Sequence, residues 1–296
     1  MAETQQITDT SVREPKPLPW VALAWFAGLL ILAYVPILSR LIAQWWDDED
    51  MGHGFFVPIL ACYIAWQSRD ELLALAPKPN YLGLLLLLFA SVQALIGSLG
   101  AELFLQRTAF IESVVGAILL MRGWPAIRVL FFPLCLLVFM VPIPAIIYNR
   151  ITFPLQLFAS SCAETVLELI GIPVVREGNI LVLANQTLSV VEACSGIRSL
   201  LSLTFLSLIY AYFFDSKVWM RAALFVTTIP IAILANAGRV TITGILSEKV
   251  SPELAKGFFH TAEGWVIFMI ALTLLLVAHK GINLVWGAIA KGKGEK

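Results

Sequence analysis

Three short segments carry the side chains best suited to chemistry. The first, V-E-A-C-S-G-I-R-S-L, centres on Cys194. A stretch rich in β-branched residues ends near Ala193 and an apolar helical run begins by Ile197, so Cys194, Ser195 and Gly196 fall at the N-terminus of a membrane helix. Free backbone N–H groups and the positive end of the helix dipole favour a thiolate there. The same donors can hold a developing oxyanion. Gly196 permits close backbone approach, and Arg198, four residues after Cys194 on the same helix face, adds positive charge beside the thiol. The competing reading of Cys194 is a small packing residue.

The second segment, N-A-G-R-V-T-I-T-G, closes an apolar run over 222–235. A charge inside a membrane helix is costly and by default functional. Rising about 1.5 Å per residue from Trp219, such a helix carries Arg239 about 30 Å, to the far boundary of a hydrocarbon core. Asn236, three positions earlier on the same face, is placed to orient the guanidinium; the alternative is a snorkelling interfacial arginine. The third segment, F-F-H-T-A-E-G-W, opens the last apolar run with His260, and Glu263 follows one turn on. An imidazole that is neutral near pH 7 can take a proton from a thiol or from water, or else simply end a helix. A thiol, a guanidinium and an imidazole at one depth form a set for nucleophilic acyl transfer.

The elements that must position this set are membrane helices. The chain of 296 residues is 59% hydrophobic and 14% charged, with a mean hydropathy of +0.85; a soluble domain carries about a quarter charged residues. The expected fold class is an all-α polytopic membrane protein of about eight transmembrane helices, over 20–42, 53–67, 81–99, 108–121, 127–147, 197–214, 219–245 and 258–278. Arg13, Lys16, Arg69, Lys78, Arg122, Arg128, Lys217, Arg221, Lys280 and the lysines after it fall on one side for that count. That side is therefore cytoplasmic, both termini included. The whole of 1–296 is expected to be a single transmembrane domain, with cytoplasmic tails at 1–19 and 280–296 and an uncleaved first span. The segment 148–196 lies outside. Its first part, 152–170, has Glu164 and Glu168 at helical spacing and predicts an interfacial helix. Its second part, G-I-P-V-V-R-E-G-N-I-L-V-L-A-N-Q-T-L-S-V-V-E-A, predicts a small extracytoplasmic β element of two or three strands, with turns at Glu177-Gly178-Asn179 and Ala184-Asn185, that leads into Cys194.

A-C-S-G-I-R, N-x-x-R (Asn236 to Arg239) and H-x-x-x-G (His260 to Gly264) resemble the three signature motifs of the exosortase/archaeosortase family, and W-W-D-D-E-D-M-G-H-G-F-F-V-P resembles its N-terminal D-x-x-x-H-G motif, with Asp50 or a neighbour as the acid, His53 and Gly54 matching. The resemblance spans all the expected helices and implies a bacterial exosortase of the PEP-CTERM sorting type, without the periplasmic domain fused to some members. It implies that Cys194 attacks a peptide carbonyl to form an acyl-thioester, that Arg239 is proton donor or oxyanion stabiliser, and that His260 is base or transition-state stabiliser. The implied substrates are membrane-anchored proteins with a C-terminal sorting signal: a Pro-Glu-Pro-like motif, a transmembrane helix and a basic tail. Cleavage would occur at the outer face of the bacterial inner membrane, with the acyl acceptor, water or an amine, left open. Asp50, His53 and Gly54 are then candidates for receiving substrate.

No cofactor or metal is expected. The acidic run Asp47–Asp50 beside His53 allows a cation site as a lesser reading, and the four cysteines show no C-x-x-C spacing. With zero formal net charge, nucleic acid is not an expected partner; the lipid bilayer is. Cys62 and Cys135 are expected to pack, Cys162 either to stay free or to pair with Cys194, and His279 to snorkel at the end of its span. Pro142 and Pro144 are expected to kink or end the fifth span. The rival functions are a transporter or channel, which would place polar groups near the midplane of several spans, and a membrane thiol oxidoreductase using Cys162 and Cys194.

Overall fold

A computed structural model gives the fold. It describes residues 20–184, 186–190, 197–215, 217–250 and 258–294, and for some of them, including 197–199, 258–261 and 263, the backbone alone. Internal contacts group the chain into two units, Met1–Pro142 and Ile143–Lys296.

In the first unit a long helix, α1 (Trp20–Asp47), leads into a 3₁₀ segment, Glu49–Phe55, and then α2 (Phe56–Gln67) and α3 (Arg69–Ala74). α4 (Leu82–Leu99) and α5 (Leu103–Arg122) form a tight hairpin. Its helices approach closely because small residues face each other: a Cβ on Gly83 would meet the Gly116 carbonyl oxygen at 2.5 Å. Small-residue seams of this kind bring helix backbones together where lipid offers no hydrophobic drive. Polar groups add bonds across the unit: Gln93 Nε2 donates to Thr108 Oγ1 (2.8 Å) and Gln106 Nε2 to the Gly97 carbonyl (2.8 Å), while Tyr34 of α1 bonds Ser113 Oγ (2.8 Å). After α5 the chain breaks into α6 (Trp124–Val129), α7 (Phe131–Leu136) and a 3₁₀ turn, Leu137–Met140.

The second unit opens with α8 (Ala145–Leu169), followed by strands β1 (Val174–Glu177), β2 (Ile180–Leu183) and β3 (Thr187–Ser189) in an antiparallel meander. Gly178, at φ 66°, opens the two-residue turn between β1 and β2, as a primed hairpin turn requires. Among the described residues, three further helices complete the unit: α9 (Ile197–Phe214), α10 (Val218–Lys249) and α11 (Phe258–Gly294). One core joins Ala159, Ala163 and Leu167 of α8, Leu181, Leu183 and Leu188 of the sheet, and Ala237 and Val240 of α10. A second core joins Leu203 and Ala211 of α9, Met220, Leu224 and Ala232 of α10, and Ala271 and Leu275 of α11.

Among the described residues, five helices are long and apolar enough to cross a membrane, or six if 131–140 and 145–169 count as one broken span. The chain is a polytopic helical membrane protein. The differences from the expected spans have local causes. The stretch 127–147 ends at Pro142 and Pro144 as expected, where the chain runs extended before α8, but it is also broken earlier, at Leu130, ahead of Pro133 in α7. The helix expected within 53–67 is only 12 residues long, about 18 Å, because the 3₁₀ segment takes its first residues. The expected interfacial helix over 152–170 falls in the C-terminal part of the 25-residue α8, whose Thr152, Gln156, Ala159, Ser160, Ala163 and Leu167 are buried. α11 continues past Ala278 to Gly294, so 280–294 is helix. Cys62 and Cys135 are exposed positions on α2 and α7, not packing residues. The three-strand element and its first turn fall where the β-branched pattern places them; Asn185 of the second expected turn lies outside the described residues.

Candidate active site

Arg239 sits in the C-terminal half of α10, about 32 Å along the helix from Val218. The residues around it have separate duties by helical spacing. Ala237 and Val240 turn into the core shared with α8 and the sheet, whereas Arg239 turns toward α11. There it lies against Gly264: a Cβ built on that glycine would stand 3.1 Å from Nη2 and 3.2 Å from Cζ of the guanidinium. The glycine of H-x-x-x-G is therefore the floor on which the arginine of N-x-x-R rests. His260 is one turn before Gly264 in the same helix, so its backbone is on the same face, about 6 Å toward the helix N-terminus. Two of the three motifs meet in one place. The side chains of His260 and Glu263 lie outside the described residues, as do Cys194, Ser195, Gly196 and the side chain of Arg198.

Asn236 is buried (4% exposed) one turn before Arg239, and its Oδ1 has no hydrogen-bond partner among the described residues. The orienting bond expected from it is not among the described contacts. Thr243 Oγ1, one turn after Arg239, donates to the Arg239 carbonyl at 2.9 Å. Thr243 and Ser247 continue the buried polar stripe that Asn236 and Arg239 begin; the i, i+3, i+7, i+11 spacing was the signal in the sequence for both.

The sheet braces this half of α10 and is itself fixed to α8. Arg176 Nε donates to Glu164 Oε2 at 2.7 Å, Ser160 Oγ to the Gly178 carbonyl at 3.0 Å, and Asn179 Nδ2 to Gln156 Oε1 at 2.9 Å. The Val190 N–H donates to the Asn179 carbonyl at 3.0 Å, which anchors the last described residue before Cys194. Cys162 is a free thiol, partly buried against the same core.

Asp50, His53 and Gly54 belong to the first unit. Asp48 caps the 3₁₀ segment, its Oδ1 accepting from the Asp50 N–H at 2.9 Å. Gly54 is pressed against Trp45, where a Cβ would meet the indole Nε1 at 2.5 Å, and that Nε1 donates to the Met140 carbonyl at 2.9 Å. The D-x-x-x-H-G stretch is thus a built turn against Leu137–Met140. Among the described residues no three His, Cys, Asp or Glu side chains converge as a metal set.

A family model described as transmembrane exosortase matches residues 45–277 of the chain, a range that holds all four motifs. No curated protein and no solved structure matches it.

Proposed function

The chain belongs to the transmembrane exosortase family, and on that premise we propose that it is a membrane-embedded cysteine endopeptidase or transpeptidase. It acts on exported proteins that carry a C-terminal sorting signal of the PEP-CTERM type. The observation that carries this reading is the seating of Arg239 on Gly264, one turn from His260, because it joins two motifs remote in sequence on one helix face.

In the proposed reaction the Cys194 thiolate attacks the scissile carbonyl, and the Arg239 guanidinium stabilises the oxyanion or donates a proton. Collapse of the tetrahedral species forms the acyl-thioester and expels the amine, which takes a proton from His260 or Arg239. Water or an amine then releases the acyl group. Ser195, Gly196, Arg198, Asn236 and Glu263 support the site, and Asp50, His53 and Gly54 receive substrate. About eight passages, three of them short, place both termini in the cytoplasm and the site at the periplasmic face of the inner membrane.

The test is intact-mass analysis of a co-expressed substrate. Cys194→Ala, Arg239→Ala and His260→Ala are each expected to abolish C-terminal trimming while the protein still inserts. Normal trimming by Cys194→Ala overturns the mechanism. A product heavier than the cleaved chain identifies transfer to an amine, and one of hydrolysed mass identifies water as acceptor.

A further inference from the structure

A buried polar cluster lies at the other end of the second unit. Asp215, in the link between α9 and α10, accepts from the Lys217 N–H at 2.8 Å. His279 of α11 places Nε2 3.1 Å from Asp215 Oδ2, and its Nδ1 lies 2.8 Å from the Tyr210 hydroxyl of α9. Asn283, one turn on in α11, lies 2.8 Å from His279 Nε2 and receives a bond from Lys217 Nζ at 3.3 Å. Arg221, in the first turn of α10, donates from Nε to the Asp215 carbonyl at 2.9 Å, and Trp219 of α10 packs on Trp286 of α11 at 4.6 Å. The side chains of His279 and Asp215 are 10% and 8% exposed. His279 is therefore not the snorkelling helix end that the sequence suggests. Burial works against the Asp215 carboxylate, yet the Lys217 N–H, His279 and Asn283 together hold its pKa below the ordinary carboxylate value.

The three helices tied here are the ones whose outer ends carry the three signature motifs. Tyr210 is 13 residues from the start of α9, Arg221 is 18 residues from Arg239, and His279 is 19 residues from His260: about 20, 27 and 28 Å of helix respectively. Between the two ends the packing is Leu203, Ala211, Leu224, Ala232, Ala271 and Leu275. Apolar surfaces alone resist axial sliding weakly where lipid tails compete as equals. Hydrogen bonds between fixed polar groups do resist it, and buried polar residues are used to set helix register.

We propose that the Tyr210–His279–Asp215–Asn283 cluster is a positioning site for the reaction, holding α9, α10 and α11 in the axial register that brings Cys194, Arg239 and His260 together. It rests on the Cys–Arg–His reading and adds residues on the opposite face of the membrane. A slip along a helix axis is carried undiminished to the far end. A tilt of about 5° over 27 Å moves that end by about 2 Å, and misplacement of about 1 Å can cost about 100-fold in rate.

The test uses the full chain with Cys62, Cys135 and Cys162 replaced by alanine, carrying Asp215→Asn, His279→Ala or Tyr210→Phe. Substrate trimming is measured together with the pH profile of Cys194 alkylation by iodoacetamide in isolated membranes. About ten-fold slower trimming is expected for the first two variants and several-fold for the third, at normal membrane levels. The alkylation profile is expected to move in the direction that Arg239→Ala moves it. A profile that stays put, whether trimming is normal or falls only with the amount of protein, overturns the proposal. Should Asp215→Asn or His279→Ala fail to accumulate, Tyr210→Phe, which deletes one oxygen, decides it. Failure of the Cys–Arg–His reading shows separately, as normal trimming by Cys194→Ala.

Discussion

Replacing Gly264 by alanine isolates the contact between α10 and α11 at the site. The new Cβ would lie 3.1 Å from Arg239 Nη2, 3.2 Å from Cζ and 3.5 Å from Nη1. Comfortable separations for such atoms are about 3.5–4.0 Å, so the guanidinium must withdraw by about 0.5 Å. The obstructing atoms end a flexible side chain, and alanine gains up to about 1 kcal/mol over glycine within a helix. Folding should therefore be unharmed or improved, while the displaced guanidinium slows the chemical step by about ten-fold, since about 1 Å is worth up to about 100-fold. Gly264→Val should lose more. Gly238, beside Arg239 in sequence, has nothing within 4 Å of where its Cβ would stand; Gly238→Ala should gain the same helix preference and trim normally. The assay is the initial rate of substrate trimming by mass analysis, alongside thermal unfolding in detergent. Wild-type trimming by Gly264→Ala, or an equal loss in Gly238→Ala, refutes the argument that glycine is there to seat Arg239.

Glu164→Gln removes the charge that Arg176 meets at 2.7 Å; both side chains are partly exposed, so a loss of about 0.5–1 kcal/mol is expected, seen as faster proteolytic cleavage in 171–190 with α8 intact. The Asp215 pKa is depressed in the folded chain, so its contribution to stability is complete above the ordinary carboxylate pKa and is lost as pH falls through the lower folded value. Unfolding in detergent between neutral pH and pH 3 should show that loss in wild type, and Asp215→Asn should flatten it. Gly83→Val puts atoms into the backbone of Gly116 and Leu120 and should destabilise the α4–α5 hairpin by more than 2 kcal/mol, on the order expected for overpacking, read as loss from the membrane fraction.

Local patterns made much of this legible in advance. The sheet announced itself through β-branched runs broken at Gly178 and Ala184, because its register is fixed by neighbours in sequence. Arg239 was visible as a charge at the end of an apolar run, and H-x-x-x-G as a motif, but the reason for the glycine was not. That reason is an arginine 25 residues away on another helix. Pro142 and Pro144 mark the end of the span over 127–147 in the sequence, whereas the earlier break at Leu130 goes with Pro133, buried within the apolar run. His279 was misjudged because its partners, Tyr210 and Asp215, are 69 and 64 residues distant, beyond any periodicity. The 3₁₀ segment Glu49–Phe55 takes the first residues of the span expected over 53–67, and the Trp45 indole pressed on Gly54 there is a contact that no spacing rule describes.

The anchoring of Val190 to Asn179 makes the β meander a measuring stick. Cys194 follows Val190 by four positions and precedes Ile197 by three, so the length of chain holds it within about 14 Å of Val190 and about 10 Å of the start of α9. If Cys194 is the nucleophile proposed above, so short a leash would keep it from roaming after a scissile bond, and the bond would have to be delivered to it at one height. The spacing between a client's membrane anchor and its cleavage point would then be gauged by this platform, and lengthening that spacing by a few residues should carry the client past the blade.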